Sequence, residues 1–176
     1  MKSLIFDTGP IISLTLNNLL WILEPLRKEF RGSFYIPGAV KNELVDRPLH
    51  TKKFKLEALQ ILPSISDGTL EVIENEYIKK KSEHLMSLAN RSFKAKGNFI
   101  SILQAGEMET IAAALYFKTE NVVVDERVTR MLIEDPSEVK KTLERRLHTK
   151  IEADNESIRQ FNDEVKNLKV IRSTEL

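Results

Sequence analysis

Short apolar runs, each cut off by an acid, a proline or a glycine, alternate along this chain with longer stretches whose apolar residues recur every three or four positions. The runs are Leu4-Ile5-Phe6, Phe34-Tyr35-Ile36, Leu70 to Ile73, Asn121 to Val124 and Lys169 to Arg172. Their lengths and bounding residues predict short buried strands. Between the first two, Ile11 to Phe30 carries Leu16, Leu19, Leu20 and Leu23 at the spacing of one helix face, with Pro25 predicting a break or kink. Pro37-Gly38 starts a helix through Val40, Glu43 and Leu44 that Pro48 limits. Phe54 to Leu62, Glu74 to Gly97, Glu107 to Phe117 and Glu156 to Leu168 read as further helices. Beyond Glu109 the helix of Glu107 is apolar on nearly every side, so it is predicted to be buried. Asp135-Pro136-Ser137-Glu138 has the order of a helix start, with a capping Asp, then Pro at the first position and Glu at the third.

Strands that alternate with helices imply an α/β protein. The predicted architecture is a three-layer α/β/α sandwich with a mainly parallel central sheet and extra helical segments. In such a sheet, ligands bind beyond the carboxyl ends of the strands, where strand order reverses. The length of 176 residues suits a single domain over residues 1–176. A basic helical insertion is expected at about 75–104 and a helical C-terminal extension at about 135–168. Lys and Arg number 27 against 26 Asp and Glu, a net charge of +1. Bulk charge therefore announces neither a nucleic-acid binder nor a membrane-surface protein, and any such role must come from local patches. The absence of cysteine excludes disulfide frameworks and Cys-based zinc sites. No apolar run approaches the ~20 residues of a membrane span, and the apolar stretch that opens the chain is too short for a signal peptide. The expectation is a cytoplasmic protein with no membrane partner.

Four carboxylates occupy special positions. Asp7 and Asp125 each follow an apolar strand directly, Glu43 lies in the helix after the second strand, and Glu107 opens the buried helix. Singly, each is an ordinary turn residue, cap or first-turn acid favoured by the helix dipole. Together they carry a consequence. Ionised carboxylates gathered in one pocket repel each other and resist desolvation, and a bound divalent cation relieves both penalties. Hard oxygen ligands without His or Cys suit Mg²⁺ or Mn²⁺ rather than zinc. One or two such ions are the expected cofactor, and two would clamp both oxygens of an in-line phosphoryl displacement.

Four blocks carry a resemblance: Leu4-Ile5-Phe6-Asp7-Thr8-Gly9-Pro10-Ile11-Ile12, Ile36-Pro37-Gly38-Ala39-Val40-Lys41-Asn42-Glu43-Leu44, Ala105-Gly106-Glu107-Met108-Glu109-Thr110-Ile111-Ala112-Ala113-Ala114 and Val122-Val123-Val124-Asp125-Glu126-Arg127. Their order and their places on strands and helices resemble the PIN-domain ribonucleases, which include the VapC-type toxins of toxin–antitoxin pairs. The resemblance spans residues 4 to about 130. It implies a PIN-like fold and a metal-dependent endoribonuclease, with Asp7, Glu43, Glu107 and Asp125 as catalytic and metal-binding residues. Thr8 and Ser13 would add hydroxyls near the metal. Glu109 lies about 200° around the helix from Glu107, so the two cannot face one ion. Glu107 is preferred because it stands at the helix start, leaving Glu109 a supporting or ion-pairing role. Asp125 is likewise preferred over its neighbour Glu126, which could ligate through water or replace it. The family also implies an RNA substrate, an antitoxin partner for the toxins, and homodimers.

An acidic pocket repels RNA, so backbone affinity must come from basic clusters around it. Lys79, Lys80 and Lys81, with Arg91, Lys94 and Lys96, form the favoured cluster because they precede the Glu107 helix; Lys52, Lys53 and Lys55 are another group. Trp21 reads as core, and apolar residues of Ile11 to Phe30 are a candidate dimer surface. His50, His84 and His148 are assigned no catalytic duty. A PIN-like RNA-binding, RNA-processing or regulatory protein without a toxin role is the alternative. A haloacid-dehalogenase-like phosphatase also ends its first strand in Asp, but it needs a second Asp where this chain has Gly9.

Overall fold

A computed structural model describes residues 2–51 and 53–176, so Lys52 of the second basic group lies outside the described residues. The five predicted strands form one parallel sheet. β1 (Ser3–Phe6) is its centre, flanked by β2 (Ser33–Pro37) and then β3 (Glu71–Ile73) on one side, and by β6 (Asn121–Val123) and then β8 (Lys169–Ile171) on the other. Strand order reverses between β1 and β6. Side chains alternate across β1, as a pleated strand requires. Leu4 and Phe6 enter a core with Phe34, Ile36, Ile11 and Leu23, while Ile5 enters the opposite core with Val122, Met108 and Phe161. The helices α1 (Thr8–Leu16), α2 (Leu23–Phe30), α3 (Gly38–Lys41), α4 (Arg47–Leu49) and α5 (Lys55–Ser66) supply the first core. The second is supplied by α6 (Glu76–Arg91), α7 (Ala105–Phe117), α8 (Arg127–Glu134), α9 (Pro136–Leu147) and α10 (Asn155–Val165). The sheet is thus covered on both faces, and the α/β/α prediction matches the observed fold.

Three stretches differ from their prediction. Ile11 to Phe30 is not one kinked helix: α1 stops at Leu16, Asn18 takes a left-handed φ of 55°, and a single 3₁₀ turn at Leu20–Ile22 leads into α2. Pro25 falls in the first turn of α2, where its missing N–H has no helical partner to lose. The break turns Trp21 out, 69% exposed, rather than into the core, and leaves Leu16 and Leu19 exposed as well. Glu74 to Gly97 is helical only to Arg91. A hairpin follows, with β4 (Phe93–Ala95) and β5 (Asn98–Phe99) joined by Lys96-Gly97 at φ 50° and 80°. Both positive angles suit a tight two-residue hairpin turn, and the apolar Phe93 is drawn fully into the core. The third stretch lies in the C-terminal part, where β7 (Ile151–Ala153) pairs antiparallel with β4 and makes a second, three-stranded sheet. Strands of two or three residues are too short to show a period, which is why the hairpin and β7 escape sequence reading.

The start of α9 follows its sequence prediction: Asp135 caps it by accepting from the Ser137 N–H at 3.1 Å, with Pro136 at the first position. α7 is buried as predicted, with Met108, Ile111, Ala112, Ala113 and Ala114 fully enclosed. Phe161 of α10 is equally enclosed. Phe161→Ala is expected to cost about 3–5 kcal/mol as a core truncation, whereas Leu56→Ala, on the exposed face of α5, should stay within about 0.5 kcal/mol. Urea unfolding midpoints check both.

Candidate active site

The carboxyl edge of the sheet gathers acids from four separate segments. Asp7 leaves β1 and caps α1; its N–H continues the pairing with β6 through the Val123 carbonyl at 3.0 Å. Asp125 lies just beyond β6, across the point where strand order reverses. Gly9 sits between the two: a Cβ there would lie 3.4 Å from the Asp125 Cβ and 3.8 Å from Asp7 Oδ2. Glu43 belongs to Asn42–Asp46, a π-helical turn that continues α3 into α4. Its carboxylate lies against the first turn of α7. A Cβ on Gly106 would come within 3.1 Å of Glu43 Oε1, so any larger residue there would press the Glu43 carboxylate back by a few tenths of an ångström. Glu107 follows in that first turn and is buried.

Each acid is held by a nearby donor. Thr8 Oγ1 donates to Glu43 Oε2 at 2.6 Å. Ser13 Oγ donates to Asp125 Oδ2 at 2.9 Å, and the Ser173 backbone N–H donates to Asp125 Oδ1 at 2.8 Å. Glu107 accepts the Gln104 N–H at 2.8 Å in a capping box. The acids also feel one another. Burial pushes the Asp7 carboxyl up to about 6, against hydrogen bonds from the Thr8 and Gly9 N–H groups, and the charges of Glu43 and Asp125 push the same way. Burial pushes Glu107 up to about 7, opposed by the Gln104 N–H, with Asp7 and Glu126 adding repulsion. Asp7 is therefore the hub: it couples to each of the other three.

Of the accessory residues, Thr8 and Ser13 touch acids directly, one on Glu43 and one on Asp125. Glu126 caps α8 through the Thr129 N–H at 2.6 Å and lies near enough to Glu107 to repel it. Glu109 points elsewhere: it accepts the Ala39 N–H at 2.9 Å at the start of α3 and lines a cavity of about 490 Å³ with Glu74, Glu76 and Lys79. The basic cluster divides. Lys81 is paired to Glu164 of α10 at 2.7 Å. Lys80, Arg91 and Lys96 are exposed, and Lys94 lies 4.5 Å from the ring centre of the exposed Phe99. Sequence reading missed Gly106, Gln104 and Ser173. Gly106 and Gln104 stood beside a marked acid, but nothing in the sequence links Ser173 to Asp125.

The donors are hard carboxylate and hydroxyl oxygens, with no His or Cys among them, and their chemistry suits a hard divalent cation. Among the described residues no three His, Asp or Glu side chains are grouped so as to hold an ion as they stand.

The sequence matches a family model described as a PIN domain over residues 3–135. The chain belongs to the PIN-domain family. Those residues include all four acids and stop short of α9, β7, α10 and β8. PIN domains are generally nucleases and generally use divalent metal ions. No curated protein matches this chain. Among solved structures, a chain in the crystal structure of VapBC2 from Rickettsia felis, bound to a DNA fragment from their promoter, aligns over 97% of this PIN-domain chain and 98% of its own. The TM-score is 0.53 at 14% identity, a likeness of fold. Among the described residues no helix is long and apolar enough to cross a membrane.

The raised acids give this PIN domain a pH dependence. In the unfolded chain Asp7 and Glu107 ionise near their ordinary values of 3.8 and 4.5, whereas the folded chain keeps their protons to about 6 and 7. The unfolded state thus binds fewer protons between about pH 4 and 7, and stability falls as pH rises through that window. Asp7→Asn keeps the cap and removes one of the two penalties. It is expected to stabilise the protein by up to about 3 kcal/mol at pH 8 and by almost nothing at pH 4. Urea midpoints of both proteins at the two pH values, measured in chelator, test this.

Proposed function

We propose that this PIN domain is a Mg²⁺- or Mn²⁺-dependent endoribonuclease, the toxin of a toxin–antitoxin pair, acting in the cytoplasm. The observation that carries the reading is the meeting of Asp7, Glu43, Glu107 and Asp125 at one sheet edge, with the protons of Asp7 and Glu107 held up to about 6 and 7 by burial and mutual repulsion. These four residues would hold one or two ions. When bound, the ions supply Lewis-acid chemistry to a phosphodiester and a water. The chain's own part is to place and orient. Thr8 and Ser13 fix the carboxylates of Glu43 and Asp125, and the raised carboxyls of Asp7 and Glu107 would ionise more readily beside a cation. Lys79, Lys80, Arg91, Lys94 and Lys96 would take the RNA backbone, while Lys81 is spent on Glu164. RNA is favoured as substrate by the acidic-block resemblance and by basic residues interleaved with an exposed aromatic at Phe99.

The toxin role draws support from the fold shared with a chain of a VapBC2 structure. A protein partner is supported by the exposed apolar Leu16, Leu19 and Trp21, which suit an antitoxin or a second copy of this chain.

Purified protein is expected to cleave RNA with Mg²⁺ or Mn²⁺ and to stop in chelator. Asp7→Asn and Glu107→Gln should each lower the rate by at least about a hundredfold while keeping the helical circular dichroism of the parent. Full activity in either variant, or in chelator, overturns the proposal. Lys80→Glu and Arg91→Glu should each weaken RNA binding and lower its salt slope by about one, read from binding titrations across salt concentrations.

A further inference from the structure

The two oxygens of Asp125 are held from opposite ends of the chain. Ser13 Oγ, in α1, donates to Oδ2 at 2.9 Å, and the Ser173 N–H donates to Oδ1 at 2.8 Å. Ser173 opens a 3₁₀ turn, Ser173–Glu175, immediately after β8. That turn is itself secured. Arg172 N–H donates to Glu175 Oε2 at 2.9 Å, the Arg172 guanidinium pairs with Glu175 Oε1 at 2.6 Å, and Leu176 packs on the core beside α1. β8 brings the turn to the site: it pairs with β6, and the Val124 N–H donates to the Ile171 carbonyl at 2.9 Å just before Asp125. β8 and the turn that follows it lie outside the segment that matches the PIN-domain model.

We propose that the backbone N–H of Ser173 is a positioning group of the acidic site: with Ser13 it locks the Asp125 carboxylate in the orientation in which it meets a divalent cation, so that β8 and its turn complete a site whose four acids all lie before residue 135. The inference rests on the nuclease reading above. Each carboxylate oxygen has two acceptor positions, and one hydrogen bond on each oxygen fixes the side chain while leaving the second position open. Partners of this kind set the orientation of ligating groups, and their loss costs about 10–100-fold in metal affinity or activity.

The test separates the N–H from the side chain. Ser173→Pro removes the N–H together with the hydroxyl. It falls at the first position of its turn, where proline is tolerated, and it follows Arg172 in the extended conformation that a residue before proline requires (φ −91°, ψ 158°). Ser173→Ala keeps the N–H. Full-length wild-type and variant chains are titrated with Mn²⁺ by calorimetry and assayed for RNA cleavage. Ser173→Pro should bind Mn²⁺ about tenfold more weakly and lose kcat with KM for RNA unchanged, and Ser173→Ala should keep wild-type values. Wild-type affinity in Ser173→Pro, or an equal loss in both variants, overturns the proposal and leaves the nuclease reading standing. A wild-type chain that binds no Mn²⁺ overturns both. If Ser173→Pro fails to fold, the wild-type amide resonance of Ser173 decides: it should shift when Mg²⁺ is added and stay still in Asp125→Asn, and no shift in the wild type overturns the proposal.

Discussion

Mutual repulsion of carboxylates drawn out of water is the constraint around which this molecule is arranged. Asp7 stands at the centre of the sheet edge, buried and within reach of three other acids. A fold would avoid this cluster on grounds of stability alone, since the desolvation of Asp7 and Glu107 is only partly offset by the N–H groups of Thr8, Gly9 and Gln104. The surrounding structure answers with local donors. Two are hydroxyls, of Thr8 and Ser13, and the rest are backbone N–H groups at the starts of helices or turns. Several acids thus serve twice: Asp7 caps α1, Glu107 closes the capping box of α7, and Glu126 caps α8.

The elements that bring these groups together are ordinary consequences of the chain's pattern. A parallel sheet buried on both faces sends its strand ends to one edge, and the reversal of order between β1 and β6 sets two strand-end acids near enough to repel each other. Glu43 reaches the same place by a less regular route, through a widened helical turn and against a helix start that has glycine at its contact point. Widened turns of this kind are frequent at functional sites, where they re-aim a side chain.

Much of this was legible in the sequence. The five strands of the main sheet, the buried helix at Glu107 and the helix start at Asp135 are all set by local patterns of apolar residues, caps and breakers, and the four acids were visible as exceptions within those patterns. What stayed hidden depended on tertiary contact. Phe93 reads as the tail of a basic helix until its ring is buried, and β7 is three residues long. Trp21 reads as core because the left-handed turn at Asn18, which swings it outward, has no strong local signal. The bond from Ser173 to Asp125 joins residues 48 apart in sequence through a backbone N–H, a group that carries no residue identity.

The non-local origin of the acidic cluster also bears on the route by which the chain reaches its native state. β1 pairs with β2 and with β6, so the strands that carry Asp7 and Asp125 come from distant parts of the chain, and these carboxylates approach only when the long-range β1–β6 pairing is made. Contacts made late are largely absent from the folding transition state. Where the β1–β6 pairing follows that state, the repulsion acts on the unfolding rate and hardly touches the folding rate. A charge that neutralises the cluster would accordingly prolong the lifetime of the folded molecule without hastening its formation.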